Sequence, residues 1–151
     1  MVAYKRPESV LVVIVSLSTQ RYLMLQRKDD TDFWQSVTGS LEANETPRQT
    51  ALREVKEETG IDIEQQSLVL HDCHKCVIFE IFPQFRHRYA PEVGYNKEHW
   101  FYLPLEDEIS PLLSEHEAFQ WLALDDALCL MKSPNNQQAV IACQQWLASK
   151  G

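Results

Sequence analysis

Glycine is scarce in this chain, with four among 151 residues, so each glycine is a candidate for a position that backbone geometry demands. No apolar run approaches the ~18 residues that span a bilayer, and no membrane segment is expected. Positive charge is also short: 14 Lys and Arg face 22 Asp and Glu, for a net charge of −8. Such a balance argues against a nucleic-acid polymer, whose phosphates demand a basic surface. A small anionic substrate stays within reach if divalent cations stand between it and the protein.

The four cysteines, Cys73, Cys76, Cys129 and Cys143, are scattered and form no disulfide framework, which fits a reducing, cytoplasmic setting. The stretch His71-Asp-Cys-His-Lys-Cys76 holds a C-x-x-C, but no second ligand pair follows at zinc-site spacing. Lys5-Arg6 ahead of Val10 to Leu17 looks at first like an export signal. It has no small-residue cleavage site and soon meets polar Ser18 to Arg21, so a buried strand is the better reading. Repeats, low-complexity tracts and linkers are missing too, and one domain over residues 1–151 is expected.

What is present is an ordinary globular composition, 44% hydrophobic and 24% charged. The β-branched run Val10 to Val15 reads as a strand buried on both faces. Ser18-Thr19-Gln20 reads as a turn and Tyr22 to Gln26 as the returning strand. Leu68 to about Phe85 is rich in strand formers; His99 to Leu103 and Phe119 to Leu122 are further strands. Gln137 to Ala148 has helical periodicity, with Val140, Ile141, Trp146 and Leu147 able to share a face. Strands and helices in irregular order predict an α+β fold, a mixed sheet packed between helices.

One helix can be bounded closely. Thr46 is a natural N-cap, Pro47 suits the first helical position, Gln49 completes a capping box, and Gly60 supplies a left-handed stop. At about 100° per residue, Glu54, Glu57 and Glu58 fall within one narrow face, with Leu52, Val55 and Thr59 roughly opposite. Three acids so placed repel one another near a helix C-terminus, where the dipole also disfavours them. Something positive between them would remove that penalty, and hard carboxylate oxygens suit Mg²⁺ or Mn²⁺. A plain solvated acidic face, softened by Arg53 and Lys56, would explain two adjacent glutamates but not the wider spacing around them.

That wider string, Gly39, Glu45, Arg53, Glu54, Val55, Glu57, Glu58, Gly60 and Ile61, resembles the Nudix hydrolase box at every constrained position. The resemblance implies an α/β/α sandwich and an enzyme that cuts a phosphoric anhydride bond with water and Mg²⁺, Mn²⁺ being a possible substitute. It implies Glu54, Glu57 and Glu58 as metal ligands, and Arg53 and Glu45 as the partners that hold those carboxylates. Glu115, outside the box, is the expected further acid at the metal. A damaged box would have pointed to a non-catalytic nucleotide sensor, and none of its carboxylates is missing.

Three more blocks, Tyr4 to Pro7, Met24 to Gly39 and Arg86 to Pro91, resemble the bacterial branch of that family that acts on dihydroneopterin triphosphate in folate biosynthesis. The substrate so implied is a pterin with a triphosphate tail, cut to the monophosphate and pyrophosphate. A nucleoside triphosphate such as dATP is the alternative. The resemblance and residue chemistry together give Lys5, Arg27, Thr38 and Gly39 as contacts for the tail. Phe79, Glu80, Ile81 and Phe82 form one wall of the ring slot, Trp34 a second stacking surface, and Ser133 a polar contact. Asn136 stands where the resemblance leads one to expect Arg, and Arg86 and Arg88 read equally well as a solvated basic edge.

Overall fold

Six consecutive apolar residues leave a strand no side to show to water. The computed structural model, which describes residues 4–150, places that segment at the centre of a seven-stranded sheet. In chain order the elements are β1 (Glu8–Ser16), β2 (Tyr22–Arg27), β3 (Trp34–Gln35), β4 (Val37–Ser40), α1 (Pro47–Thr59), β5 (His71–Glu80), a 3₁₀ turn (Pro83–Arg88), β6 (Tyr95–Leu105), β7 (His116–Leu122), α2 (Leu124–Leu130) and α3 (Pro134–Lys150). One edge of β1 runs parallel to β6 from Glu8↔Lys97 to Ser16↔Leu105. Its other edge is shared: Val15 pairs with Tyr22 of β2, while Ser9 to Val12 pair with Ser40 to Val37 of β4. Two partners on one edge make the sheet diverge beside β4. The functional cleft opens there.

Alternation along the central strands sorts the core into two layers. Val10, Val12 and Ile14 join Val37, Phe101, Leu103 and the Val55 face of α1. Leu11, Val13 and Val15 join Trp100, Tyr102 and the inner faces of α2 and α3. The sheet is therefore sandwiched between α1 on one side and α2 with α3 on the other, the Nudix-type α+β arrangement that the sequence leads one to expect.

Local signals place α1 well. Thr46 accepts a hydrogen bond from the Gln49 backbone N–H at 3.2 Å, and the Gln49 side chain accepts from the Thr46 N–H at 2.9 Å. Gly60 closes the helix at φ 81°, donating its N–H to the Lys56 carbonyl. Elsewhere the elements depart from expectation. The β-rich stretch ends at Glu80, because Phe82 and Phe85 turn inward to pack edge-on against Phe33 and draw Pro83–Arg88 into the 3₁₀ turn. A bulge with His74 in the left-handed region interrupts β5 between Asp72 and Cys76. The four cysteines are free thiols. No helix among the described residues is long and apolar enough to cross a membrane.

Candidate active site

Two of the three glutamates of α1 do not lie on a solvated face. Glu54 and Glu58 are buried, Glu58 to 1% exposure, because β4 lies across this part of the helix. Val55 and Thr59 are buried as expected, whereas Leu52 is half-buried at the rim of the core. Gly39 makes the close approach of β4 possible: a Cβ there would stand 2.1 Å from Cδ of Glu54. Absence of a side chain is thus what gives the Glu54 carboxylate its place.

Arg53 organises the acids around it. Its Nε and Nη2 donate to the two carboxylate oxygens of Glu45 at 2.7 and 2.8 Å, a bidentate pair. Its Nη1 reaches Glu54 at 2.6 Å and Glu57 at 3.3 Å, and Nη2 also donates to the Ser40 carbonyl at 3.1 Å. Glu45 accepts further from the Thr50 hydroxyl and the Glu42 N–H. The Arg53 pair above all holds the Glu45 carboxyl down to about 2. The loop before α1 is thereby pinned to the helix and to β4.

Glu58 differs from its neighbours. Both of its carboxylate oxygens are buried without a hydrogen-bond partner. Burial, and after it the carboxylates of Glu54 and Glu115, raise its pKa well above the ordinary 4.5. His116 lies 3.6 Å from Glu58, but burial holds the imidazole down to about 4, so it is neutral and no ion pair forms. Glu115 is brought here by its loop: Ser114 donates to the Glu57 carbonyl at 2.6 Å, Leu112 N–H to the Thr59 carbonyl, and Lys28 to the Ser114 carbonyl. Among the described residues no three side chains already form a closed metal cage. An orphaned buried carboxylate with two further acids beside it is still a donor set of the kind hard divalent cations take, since these keep open positions for water and phosphate.

Alongside lies a cleft of about 600 Å³. Its mouth carries Lys5, Arg27, Lys28 and Arg88. Arg27 holds Asp29 bidentately at 2.7 Å, which brings that carboxyl down to about 2, and Arg88 contacts the same acid. The guanidinium of Arg27 also stacks 4.2 Å from the Phe85 ring. The Lys5 ammonium is lowered from its ordinary value, first by loss of water in the cleft and then by Arg88 and Arg27. Phe33, Phe79, Ile81, Phe82 and Phe85 make apolar walls, and Ser9, Gln35, Glu98, Ser133 and Asn136 contribute polar groups.

Most of the expected residues meet around this cleft. Lys5, Arg27, Thr38, Gly39, Glu58, Phe79, Ile81, Phe82, Glu115 and Ser133 all line it. Glu54 stands directly behind Gly39. Two of the expected substrate contacts do not belong to the lining: Glu80 is exposed, on the outward side of β5, and Trp34 packs against the α2/α3 core layer. Alternation explains both, since each has neighbours, Phe79 and Gln35, that face the cleft instead. Half-exposed Glu57 lies at the edge, tied to Arg53. Arg88 resolves as a cleft residue, and Asn136 accepts a hydrogen bond from the Ser36 N–H at 2.9 Å while facing the cleft. Sequence reading missed Glu98. Its signal was present in β6, where Asn96, Glu98, Trp100 and Tyr102 share the buried period-2 face.

Comparison with known proteins agrees with this geometry. The NUDIX domain model matches residues 5–143. The dihydroneopterin triphosphate diphosphatase of Haemophilus influenzae is 51% identical over 93% of this chain and 89% of its own length. Its namesake from Escherichia coli K12 is 55% identical over 91% of both chains. The structure of the Escherichia coli dihydroneopterin triphosphate pyrophosphohydrolase superposes with a TM-score of 0.90 at 54% identity, covering 91% of this chain and 94% of that one.

Proposed function

The chain belongs to the Nudix family, and we propose that it hydrolyses dihydroneopterin triphosphate to dihydroneopterin monophosphate and pyrophosphate. The observation that carries this reading is the mixed lining of this cleft. Buried acids, the cations Lys5, Arg27 and Arg88, and aromatic walls of the right kind for a flat bicyclic ring meet in it. The name shared by the similar proteins identifies that ring as a pterin.

Glu54, Glu58 and Glu115 are the proposed holders of Mg²⁺, with Glu57 at the margin and Arg53 and Glu45 fixing the arrangement. Bound there, the ion would neutralise phosphate charge and lower the pKa of water. Lys5, Arg27 and Arg88 would orient the tail, and the Thr38 hydroxyl beside Gly39 would meet a phosphate oxygen. Phe79, Ile81 and Phe82 would hold the ring, with Ser133 at its polar edge. Phosphoryl transfer needs positioning and charge rather than a Ser or Cys nucleophile, and such positioning is what this set offers.

The test is pyrophosphate release from dihydroneopterin triphosphate, GTP and dATP at matched concentrations, with Mg²⁺ and with EDTA. The expected result is release that EDTA abolishes and a kcat/KM favouring the pterin by about tenfold or more. Equal or faster cleavage of dATP would replace the pterin reading with nucleotide hydrolysis.

A further inference from the structure

Glu98 is 4% exposed and yet lines the cleft. It lies across the sheet from the phosphate end: Ser40 of β4 pairs with Ser9 of β1, which pairs with Glu98 of β6. Two strand spacings place it roughly 10 Å from β4, a distance suited to a ring whose tail reaches the acids of α1. Trp100 Nε1 donates to its Oε1 at 3.1 Å, and the Asn135 amide lies close by. Among the described residues no lysine or arginine pairs with it. A carboxylate without a cation, stripped of most of its water, is costly unless further donors arrive.

We propose that Glu98 is the specificity-determining residue of the cleft, accepting two parallel hydrogen bonds from the N–H and 2-amino group of a 2-amino-4-oxopyrimidine ring. This inference rests on the reading of the cleft as a pterin triphosphate site. The matching edge occurs in pterins and in guanine. Adenine offers one donor and one acceptor, which a carboxylate cannot satisfy. Burial raises the Glu98 pKa to about 7 against the opposing Trp100 hydrogen bond, and two donors from a ring would favour the ionised form. The aromatic walls supply affinity for any flat ring, so discrimination falls to polar groups of the lining such as Glu98.

The experiment compares kcat/KM of the wild type and Glu98→Gln on dihydroneopterin triphosphate, GTP and dATP. An amide of the same size keeps an oxygen for Trp100 and places a donor where an acceptor stood, an edge complementary to adenine. Activity on the pterin and on GTP is expected to fall at least about tenfold, with dATP cleavage held or raised. An equal loss on all three substrates, or no loss on any, would overturn the assignment. A second measurement needs no variant: inhibition of the wild type by GMP and by IMP, which lacks only the 2-amino group. GMP is expected to bind about tenfold tighter, and equal inhibition would overturn the proposal. Failure of the wild type to cleave the pterin would instead refute the proposed substrate, while the GTP-to-dATP ratio would still report on Glu98.

Discussion

At the scale of single residues, the site depends on what is absent as much as on what is present. Gly39 has no side chain, and the Glu54 carboxyl occupies that space. A methyl group at position 39 would meet the end of a flexible side chain rather than fixed backbone. Gly39→Ala is therefore expected to fold, because Glu54 can swing aside, and to lose activity, because it has swung aside. A drop in kcat of about a hundredfold with Tm nearly unchanged is the expected outcome, measured by turnover and a thermal melt on one preparation. Glu54 and Glu58 also mark the limit of reading a helix as a wheel. The wheel groups the glutamates correctly but gives no sign that β4 covers them, since burial depends on chain distant in sequence.

At the scale of elements, α1 was legible because its determinants are local. Thr46, Pro47, Gln49 and Gly60 act within one or two turns of the residues they stop or start. The loop in front of it is held by a longer connection, the bidentate pair between Arg53 and Glu45. The Glu45 carboxyl is at about 2 when folded, below its ordinary 4.5, so the pair contributes stability above pH 4.5 that is lost as pH falls toward 2. Comparing melts of the wild type and Glu45→Gln should show the widest Tm gap near neutral pH, narrowing below 4.5 and closing near 2. A gap that stays constant through that window would remove the pair from the stability of the loop. Other elements were not legible, for reasons of the same kind. The seven-residue α2 has Ala123 at its N-cap and so no side-chain cap, and the 3₁₀ turn owes its shape to Phe82 and Phe85 packing on distant Phe33.

At the scale of the molecule, the topology makes the site. Because β1 divides one edge between β2 and β4, Arg27 at the end of β2, the glycine of β4 and the aromatic residues after β5 all face a common cleft. Pattern alone gave β1 as a central strand, but not its pairing, and so not the cleft. Glu115 arrives from the loop before β7, 57 positions beyond Glu58, and the anchoring of Leu112 and Ser114 to α1 brings the two acids together. In the proposed function this assembly holds a divalent cation against a triphosphate through Glu58. The most direct test of this claim is Mg²⁺-dependent pyrophosphate release by Glu58→Gln, with a thermal melt to establish folding. Exchange of a buried, unpartnered carboxylate for an amide should leave the fold intact and lower kcat by at least about a hundredfold. Near-normal turnover by the folded variant would contradict the claim.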